Sequence, residues 1–535
     1  MNSPSRLTAL ALFVAFFLIY LVTAAPSVMF GDSAEMQIVG LTDGIPHGTG
    51  YPTFVLLARL FAPLPGIDPA FRITLISVMC GAVSVSLAFA VMRTLGIRLA
   101  AAAIAAGVYG LSFTFWRAAQ RPEVYTLGVA MALLALWSGI VALRTGRTPH
   151  LLLAAFLLGL TLTGHLSFGA PASILGLALA WRALRGRPRG LLRLATLAFA
   201  WVLGIAPYSY LVWLDHQPRP YNHFHMIQIV ANPLNHPDPN FDTSWKRVKW
   251  LVLGRNNYPS PPLDLDPRSI ARRVLESIAK LTLFELGPLV VVWMAVGVVA
   301  LLRRPPPATL AVALAFAVAL AFAAVVGAGP VLLLVLMPLT LMAMLLAGFG
   351  LDAALGRFEA IASARRAFAL VVVGVAIALL AAPAHLTRVY ADVHPIGPWR
   401  FRMTEESFDA YPRPGLIPSM HDLVEPGRFG RDLLSKAPAD ALVSAYWGEF
   451  MNLTYLQVVE HRRPDLTLEP QSPEGLAVRI AQWQAAHPID SHPLVFASYP
   501  ASLADHTLAL DSLQLEGGRW IYVQRTPMVP RSPRR

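Results

Sequence analysis

Asp32 and Glu35 stand three residues apart in Phe30-Gly31-Asp32-Ser33-Ala34-Glu35. A turn-like stretch follows, Gly44-Ile45-Pro46-His47-Gly48-Thr49-Gly50-Tyr51-Pro52. Two carboxylates beside a membrane suit general-base work, because poor hydration raises their pKa toward neutrality. If Asp32 caps or opens a short helix, the spacing puts both acids on one face. The blander alternative is an N-cap plus a solvated acid on an interfacial helix. Gly48 and Gly50 let the backbone around His47 approach a ligand closely, although a lone histidine in such a loop is often only solvated. Further polar groups recur downstream, in Phe115-Trp116-Arg117, Arg121-Pro122-Glu123-Val124-Tyr125, Gly164-His165-Leu166-Ser167, Tyr208 and Tyr210. Ionisable groups near membrane depth are costly and usually mark a site. The alternative is an interfacial belt whose arginines sit on lipid phosphates.

The elements that hold these residues are predicted to be transmembrane helices. The chain has 535 residues, 56% hydrophobic and only 14% charged, with a mean hydropathy of +0.54. A soluble globule cannot hide that much apolar surface, which excludes a soluble enzyme, a disordered scaffold and a nucleic-acid-binding domain. The net charge of +12 fits basic cytoplasmic loops rather than a nucleic-acid partner. Cys80 is the only cysteine, so no internal disulfide forms.

Charge-free runs long enough to cross a bilayer cover 7–25, 73–92, 99–116, 124–143, 194–214, 286–302 and 367–387. Two longer runs, 148–181 and 305–351, read as hairpins broken at Pro171 and between Gly327 and Pro330, for about 11 spans. Thr23-Ala24-Ala25 resembles a signal-peptidase site, but the run before it is long for a signal segment and reads as a retained span. With the N-terminus in the cytoplasm, inside loops collect 15 basic residues against 4 in the short outside loops. This places Asp32, Glu35, His47, Arg117, Arg121, Glu123 and His165 in one outer compartment, together with the C-terminus. The outer segments are 26–72, 215–285 and 388–535, with a helix expected near 268–283. Residues 388–526 read as a small α/β domain: a turn then strand over 440–444, strands at 466–469, 494–498 and 520–524, and helices at 449–460 and 474–486. The Pro/Arg-rich tail 527–535 reads as disordered.

No HExxH, CxxC or P-loop is present. His216, His223, His225 and His236 match no standard ligand spacing, so a mixed His/Asn/Pro loop is expected there and no metal site. A divalent cation remains compatible with the Asp32/Glu35 pair, which can also act without one.

Phe-Gly-Asp-Ser-Ala-Glu, His-Gly-Thr-Gly-Tyr-Pro, Arg-Pro-Glu-Val-Tyr and Gly-Leu-Thr-Leu-Thr-Gly-His, in this order over about residues 7–210, resemble the transmembrane protein 260 family in its bacterial branch, within the GT-C membrane glycosyltransferases. Tyr446-Trp447-Gly448-Glu449 and Arg463-Pro464-Asp465 are similar to tails of bacterial members. Gly48 and Thr49 depart from the family's usual His-Pro-Pro-Gly-Tyr-Pro. The resemblance implies a GT-C-like polytopic α-helical protein of the bacterial inner membrane, with a periplasmic α/β domain. It implies transfer of a sugar, with mannose as the family's example, from a polyprenyl-phosphate carrier to an acceptor hydroxyl on a protein or glycan. The family's first-loop acid maps onto Asp32 as base, with Glu35 in support. A phosphate leaving group calls for cations, which makes Arg117, Arg121 and His165 candidates for the carrier. His47, Tyr51, Glu123 and Tyr125 complete the expected substrate-binding set. The alternative is a transporter or flippase of a lipid-linked glycan, which usually carries charges near the midplane. Asp and Glu are absent from every apolar run above, which favours the enzyme.

Overall fold

The computed structural model describes residues 3–184, 189–224, 242–252, 266–280, 287–303, 317–318, 321, 337–359, 419–471, 475–503, 506–507, 509–524, 526 and 529–530. In chain order the helices are α1 (Ser3–Thr23), α2 (Gly31–Thr42), α3 (Pro52–Phe61), α4 (Pro69–Thr94), α5 (Leu99–Leu111), α6 (Phe113–Ala119), α7 (Tyr125–Thr145), α8 (Thr148–Gly164), α9 (Leu166–Leu184), α10 (Gly190–Ile205), α11 (Tyr208–Asp215), α12 (Ser244–Val252), α13 (Pro267–Lys280), α14 (Gly287–Arg303), α15 (Met337–Glu359), α16 (Glu425–Lys436), α17 (Trp447–Val458) and α18 (Leu476–Ala486). The strands are β1 (Leu442–Ala445), β2 (Thr467–Pro470), β3 (Leu494–Phe496), β4 (His506–Thr507), β5 (Leu510–Gln514), β6 (Trp520–Gln524) and β7 (Val529–Pro530). They fall into two compact units. One contains residues 1–24, 75–207 and 261–421, the other 25–74, 208–260 and 422–535.

The first unit is a helical bundle. Five described helices of the chain are long and apolar enough to cross a bilayer core, or six if α5 and α6 count as one. The 99–116 run was expected to be a single span. It is instead bent by 68° at Ser112, whose backbone is extended and whose hydroxyl bonds the Tyr109 carbonyl at 2.8 Å. Such a local side-chain bond competes with the helical ladder. The break in the 148–181 run falls at His165, not Pro171. His165 is extended, whereas Pro171 lies inside α9, where a bundle helix tolerates the loss of one backbone bond. The 367–387 run and the Gly327–Pro330 break lie outside the described residues, as do Gly186 and the middle of the 305–351 hairpin.

Packing in this bundle relies on small residues. A Cβ on Gly159 would overlap the Trp201 carbonyl, and one on Gly297 would overlap that of Leu346, so α8 with α10 and α14 with α15 meet backbone to backbone. Ala135, Leu151, Leu158, Leu175, Leu179 and Leu197 form one buried cluster among α7 to α10. Leu7, Leu10, Leu18 and Val22 of α1, and Leu191, Phe199 and Val202 of α10, are exposed, as lipid-facing residues are.

The second unit combines residues 25–74 and 208–260 with the α/β fold of 422–535. Its five-stranded sheet has the order β2-β1-β3-β6-β5. Strands β1 and β2, and β1 and β3, are parallel; β6 runs antiparallel to β3 and β5. Leu442, Leu494 and Phe496 share one face and are covered by Leu476 and Ile480 of α18, while α17 packs on β1 and β2. Helices α16 and α17 touch so closely that a Cβ on Gly430 would overlap the Asn452 amide. Of the tail expected to be disordered, Val529 and Pro530 pair with Thr507 and His506. Two residues suffice there because β4 offers an open edge.

Candidate functional site

Asp32 owes its position to a turn that only glycine makes easily. Phe30 is extended, Gly31 has φ +59°, and α2 begins at once, so Asp32 lies in its first turn. There the free backbone N–H groups favour a carboxylate. The Asp32 side chain is 47% exposed. Its Oδ1 accepts a hydrogen bond from the indole N–H of Trp447, the first residue of α17, at 2.7 Å. Helix α17 is itself pinned to this loop. Asn452 Nδ2 donates to the Met29 carbonyl at 2.9 Å. Phe30 meets Phe429 edge-on at 5.7 Å between ring centroids, and the Arg519 guanidinium sits 5.3 and 4.8 Å from the two rings.

Glu35, one turn on, has a different environment from Asp32. Its side chain is fully buried. Oε1 accepts the His47 backbone N–H at 3.0 Å, the Tyr221 hydroxyl at 2.6 Å and His223 Nδ1 at 3.1 Å. Oε2 is in close contact with His47 Nδ1. Burial by itself raises the carboxyl's pKa. The His47 charge and the hydrogen bonds from both imidazoles outweigh it, and Glu35 is held well below the carboxylate range. Poor hydration was expected to push this pair upward; for Glu35 the donors reverse the sign. Tyr221 pays the opposite way: burial first, then the adjacent Glu35 charge, drives its hydroxyl well above its ordinary value.

The turn that presents His47 is built from the same unit. Asp43 ends α2 in a left-handed conformation at φ 56° and lies near Arg59 and Arg219, at 3.6 and 3.7 Å. Ile45 bridges to Asn222, and the His223 N–H donates to the Ile45 carbonyl at 2.9 Å, which carries His223 to Glu35. Gly50 has φ +82°, and a Cβ there would lie 2.5 Å from Leu211 Cδ1. Tyr51 caps α3, donates its hydroxyl to the Gly48 carbonyl at 2.7 Å and places its ring 5.4 Å from that of His47. His47 Nε2 then lies 3.9 Å from Asp32 Oδ2.

Asp32, Glu35, His47 and Tyr51 are therefore brought together in one unit. Arg117, Arg121, Glu123, Tyr125 and His165 belong to the other. There Arg121 lies 3.7 Å from Glu123, Arg117 stands over the Phe113 ring at 5.4 Å, and the Tyr125 and His165 rings are 5.1 Å apart. Ser77 accepts the Glu123 N–H at 3.0 Å and fixes the start of α7. His223 and Tyr221 were not singled out as site residues in the sequence, and Trp447 entered only as part of a similar tail. Their alternating aromatic and His pattern before α12 was the one available signal. His216 contacts the Val212 carbonyl through Nδ1; His225 and His236 lie outside the described residues. Among the described residues no group of three or more His, Cys, Asp or Glu side chains is arranged to hold a metal ion.

Residues 32–182 match the family model described as the protein O-mannosyl-transferase TMEM260 N-terminal domain. The protein O-mannosyl-transferase TMEM260 of Mus musculus is 30% identical over 209 residues, 38% of this chain and 30% of the mouse protein. The Dictyostelium discoideum protein of the same name is 34% identical over 76 residues, 14% of this chain and 9% of its own length. The chain thus spans less than a third of the length of these curated relatives. Among solved structures, ArnT from Cupriavidus metallidurans bound to undecaprenyl phosphate aligns with 96% of this chain and 97% of its own, at 13% identity and a TM-score of 0.53. The apo ArnT structure aligns at 0.50. Over residues 32–182 the chain is therefore similar to the TMEM260 N-terminal domain, and its fold, a multi-helix membrane bundle with a small α/β domain, is that of the ArnT structures.

Proposed function

We propose that the protein transfers a sugar from a polyprenyl-phosphate carrier to an acceptor hydroxyl, with Asp32 as the base that touches the acceptor. The observation that carries this reading is the contrast within one helix. Glu35 is saturated by four donors, while Asp32, three residues away, keeps a half-exposed carboxylate in the same turn of chain. Support for the donor class comes from the ArnT fold, seen with undecaprenyl phosphate bound, and from the mannosyl-transferase relatives. In the reaction the acceptor oxygen attacks the anomeric carbon as the carbon–oxygen bond to phosphate breaks. The bonding electrons leave with the polyprenyl phosphate, the acceptor proton goes to Asp32, and the anomeric configuration inverts. Mannose is the sugar the relatives suggest, and a protein or glycan hydroxyl is the acceptor class.

The test is release of labelled sugar from a polyprenyl-phosphate donor by purified protein in detergent. Asp32→Asn keeps the shape and the Trp447 contact but cannot take the proton, so transfer falls about 10²–10⁴-fold while donor binding survives. A folded Asp32→Asn protein with wild-type turnover removes Asp32 from the reaction. Outer-face action rests on the 15-to-4 basic asymmetry. A reporter active only outside the cytoplasm is expected to work when fused after Arg535 and to be silent at Gly186. The reverse pattern overturns the orientation.

A further inference from the structure

We infer that the proton taken from the acceptor does not stay on Asp32 but passes to His47 Nε2, and that Glu35 and His223 are positioning residues for this relay. The inference rests on the glycosyl-transfer reading and adds to it the fate of the proton. Four observations carry it. First, an ionised Glu35 is acceptor-only, so each imidazole Nδ1 that contacts it must carry the hydrogen. When neutral, His47 is thereby fixed in the tautomer whose Nε2 bears a lone pair. Second, that Nε2 points to Asp32 Oδ2 at 3.9 Å, within reach through one bridging hydroxyl or a small closure, and apo distances of this kind shorten in the reacting complex. Third, His47 is held at both ends, by its own backbone N–H on Glu35 Oε1 and its ring on Oε2, so it cannot turn away. Fourth, the carboxylate that would stabilise an imidazolium is fully buried, where its field is least screened.

Among the described residues, the groups that face His47 include Asp32 and Glu35 from α2, Tyr51 at the start of α3, His223 with Tyr221 from the segment after α11, and the uncharged Trp447 from α17. The two carboxylates among these favour protonation of His47. The proton balance is simple. Asp32 accepts the acceptor proton as the new glycosidic bond forms. It donates that proton to the Nε2 lone pair and is ionised again, and Glu35 stays ionised throughout. The imidazolium then releases the proton to water after the products leave. Passing a proton from a carboxylic acid to an imidazole is downhill in ordinary solution terms.

The experiment is the pH profile of steady-state kcat for sugar transfer, with donor KM measured alongside. The wild type is expected to lose turnover on the acid side at or above the ordinary imidazole value of about 6.5, because both carboxylates favour the imidazolium, rather than in the carboxylate range near 4. His47→Gln keeps a polar group in the turn. It is expected to lower kcat about 10²-fold with donor KM unchanged and to move the acid limb down into the carboxylate range. Glu35→Gln removes the anion that favours the imidazolium, so the limb moves to lower pH; Glu35→Asp restores part of the wild-type position. If Glu35→Gln does not fold, His47→Gln and the wild-type profile still decide. A wild-type limb in the carboxylate range, or a limb that His47→Gln leaves in place, overturns the relay while leaving Asp32 as base. Absence of transfer by the wild type at any pH, or full activity of Asp32→Asn, is instead the failure of the glycosyl-transfer reading.

Discussion

Trp447→Phe isolates the support that the C-terminal domain gives to Asp32, the proposed base. The substitution removes one donor, the indole N–H at 2.7 Å from Asp32 Oδ1, and keeps an aromatic ring near His47 and His223, whose centroids are 6.5 and 5.8 Å from that of Trp447. A hydrogen bond to a charged group contributes about 1.5–3 kcal/mol. Asp32 is 47% exposed, so water replaces part of the lost contact and the lower end applies. About 1.5 kcal/mol corresponds to a roughly tenfold loss of turnover if the bond holds Asp32 in its reactive rotamer. The loss belongs in kcat, because the indole's hydrogen bond is to the acid. Trp447→Ala also empties the ring's place beside the two imidazoles and is expected to fall further. The assay is sugar transfer under saturating donor, with a melting curve to confirm folding. A folded Trp447→Phe enzyme with wild-type kcat refutes the idea that the indole orients Asp32. Equal losses in the Phe and Ala variants refute the assignment of the effect to a single hydrogen bond.

Arg117→Ala and Arg121→Ala are expected to raise donor KM, with about 2–3 kcal/mol lost where a charge-assisted phosphate contact disappears. Unchanged KM and kcat in both assign these arginines to lipid headgroups. Glu35 gives a stability prediction whose sign follows from its depressed pKa. Its ionised form stabilises the fold above the ordinary carboxyl value of 4.5, and that contribution is lost as pH falls below it. The wild type is therefore expected to melt well above Glu35→Gln at pH 7, with the gap narrowing below about pH 4.5. A gap that stays constant with pH shows that Glu35 supports the fold by shape alone.

The local grammar of the chain was readable wherever neighbouring residues set the outcome. The i, i+3 acids do lie on a helix, because Phe30-Gly31 provides the entry turn. The β1, α17, β2 and α18 segments fall close to their expected places, because each is short, apolar on one side and bounded by Pro, Asp or Gly. Strand β5 was missed: Leu510-Asp511-Ser512-Leu513-Gln514 is an edge strand with largely exposed side chains, so no apolar alternation marks it. Helix α16 was missed behind Pro426 and Gly427, two residues that usually signal a loop. The greater loss was at the site. The unequal fates of Asp32 and Glu35 depend on His223, 188 positions from Glu35, and on Trp447, 415 positions from Asp32. Nothing in the local pattern of Asp-Ser-Ala-Glu tells which acid will be buried.

Those separations also set a timetable. Tyr221 and Asn452 reach back across 186 and 423 residues to Glu35 and the Met29 carbonyl. At ordinary synthesis rates, Trp447 leaves the ribosome roughly 20–80 s after Asp32, since 415 residues lie between them. Throughout that interval the first loop has its acids but not the indole, the asparagine or the packed rings that hold them. Closing so long a loop adds little to the equilibrium cost, which grows only logarithmically, but it delays folding. During that period Asp32, the base on the proposed reading, lacks the indole hydrogen bond it accepts in the finished fold. On the proposed reading activity arises late, in the step that seats α17 on α2, and a chain cut short before residue 447 lacks the indole that holds Asp32.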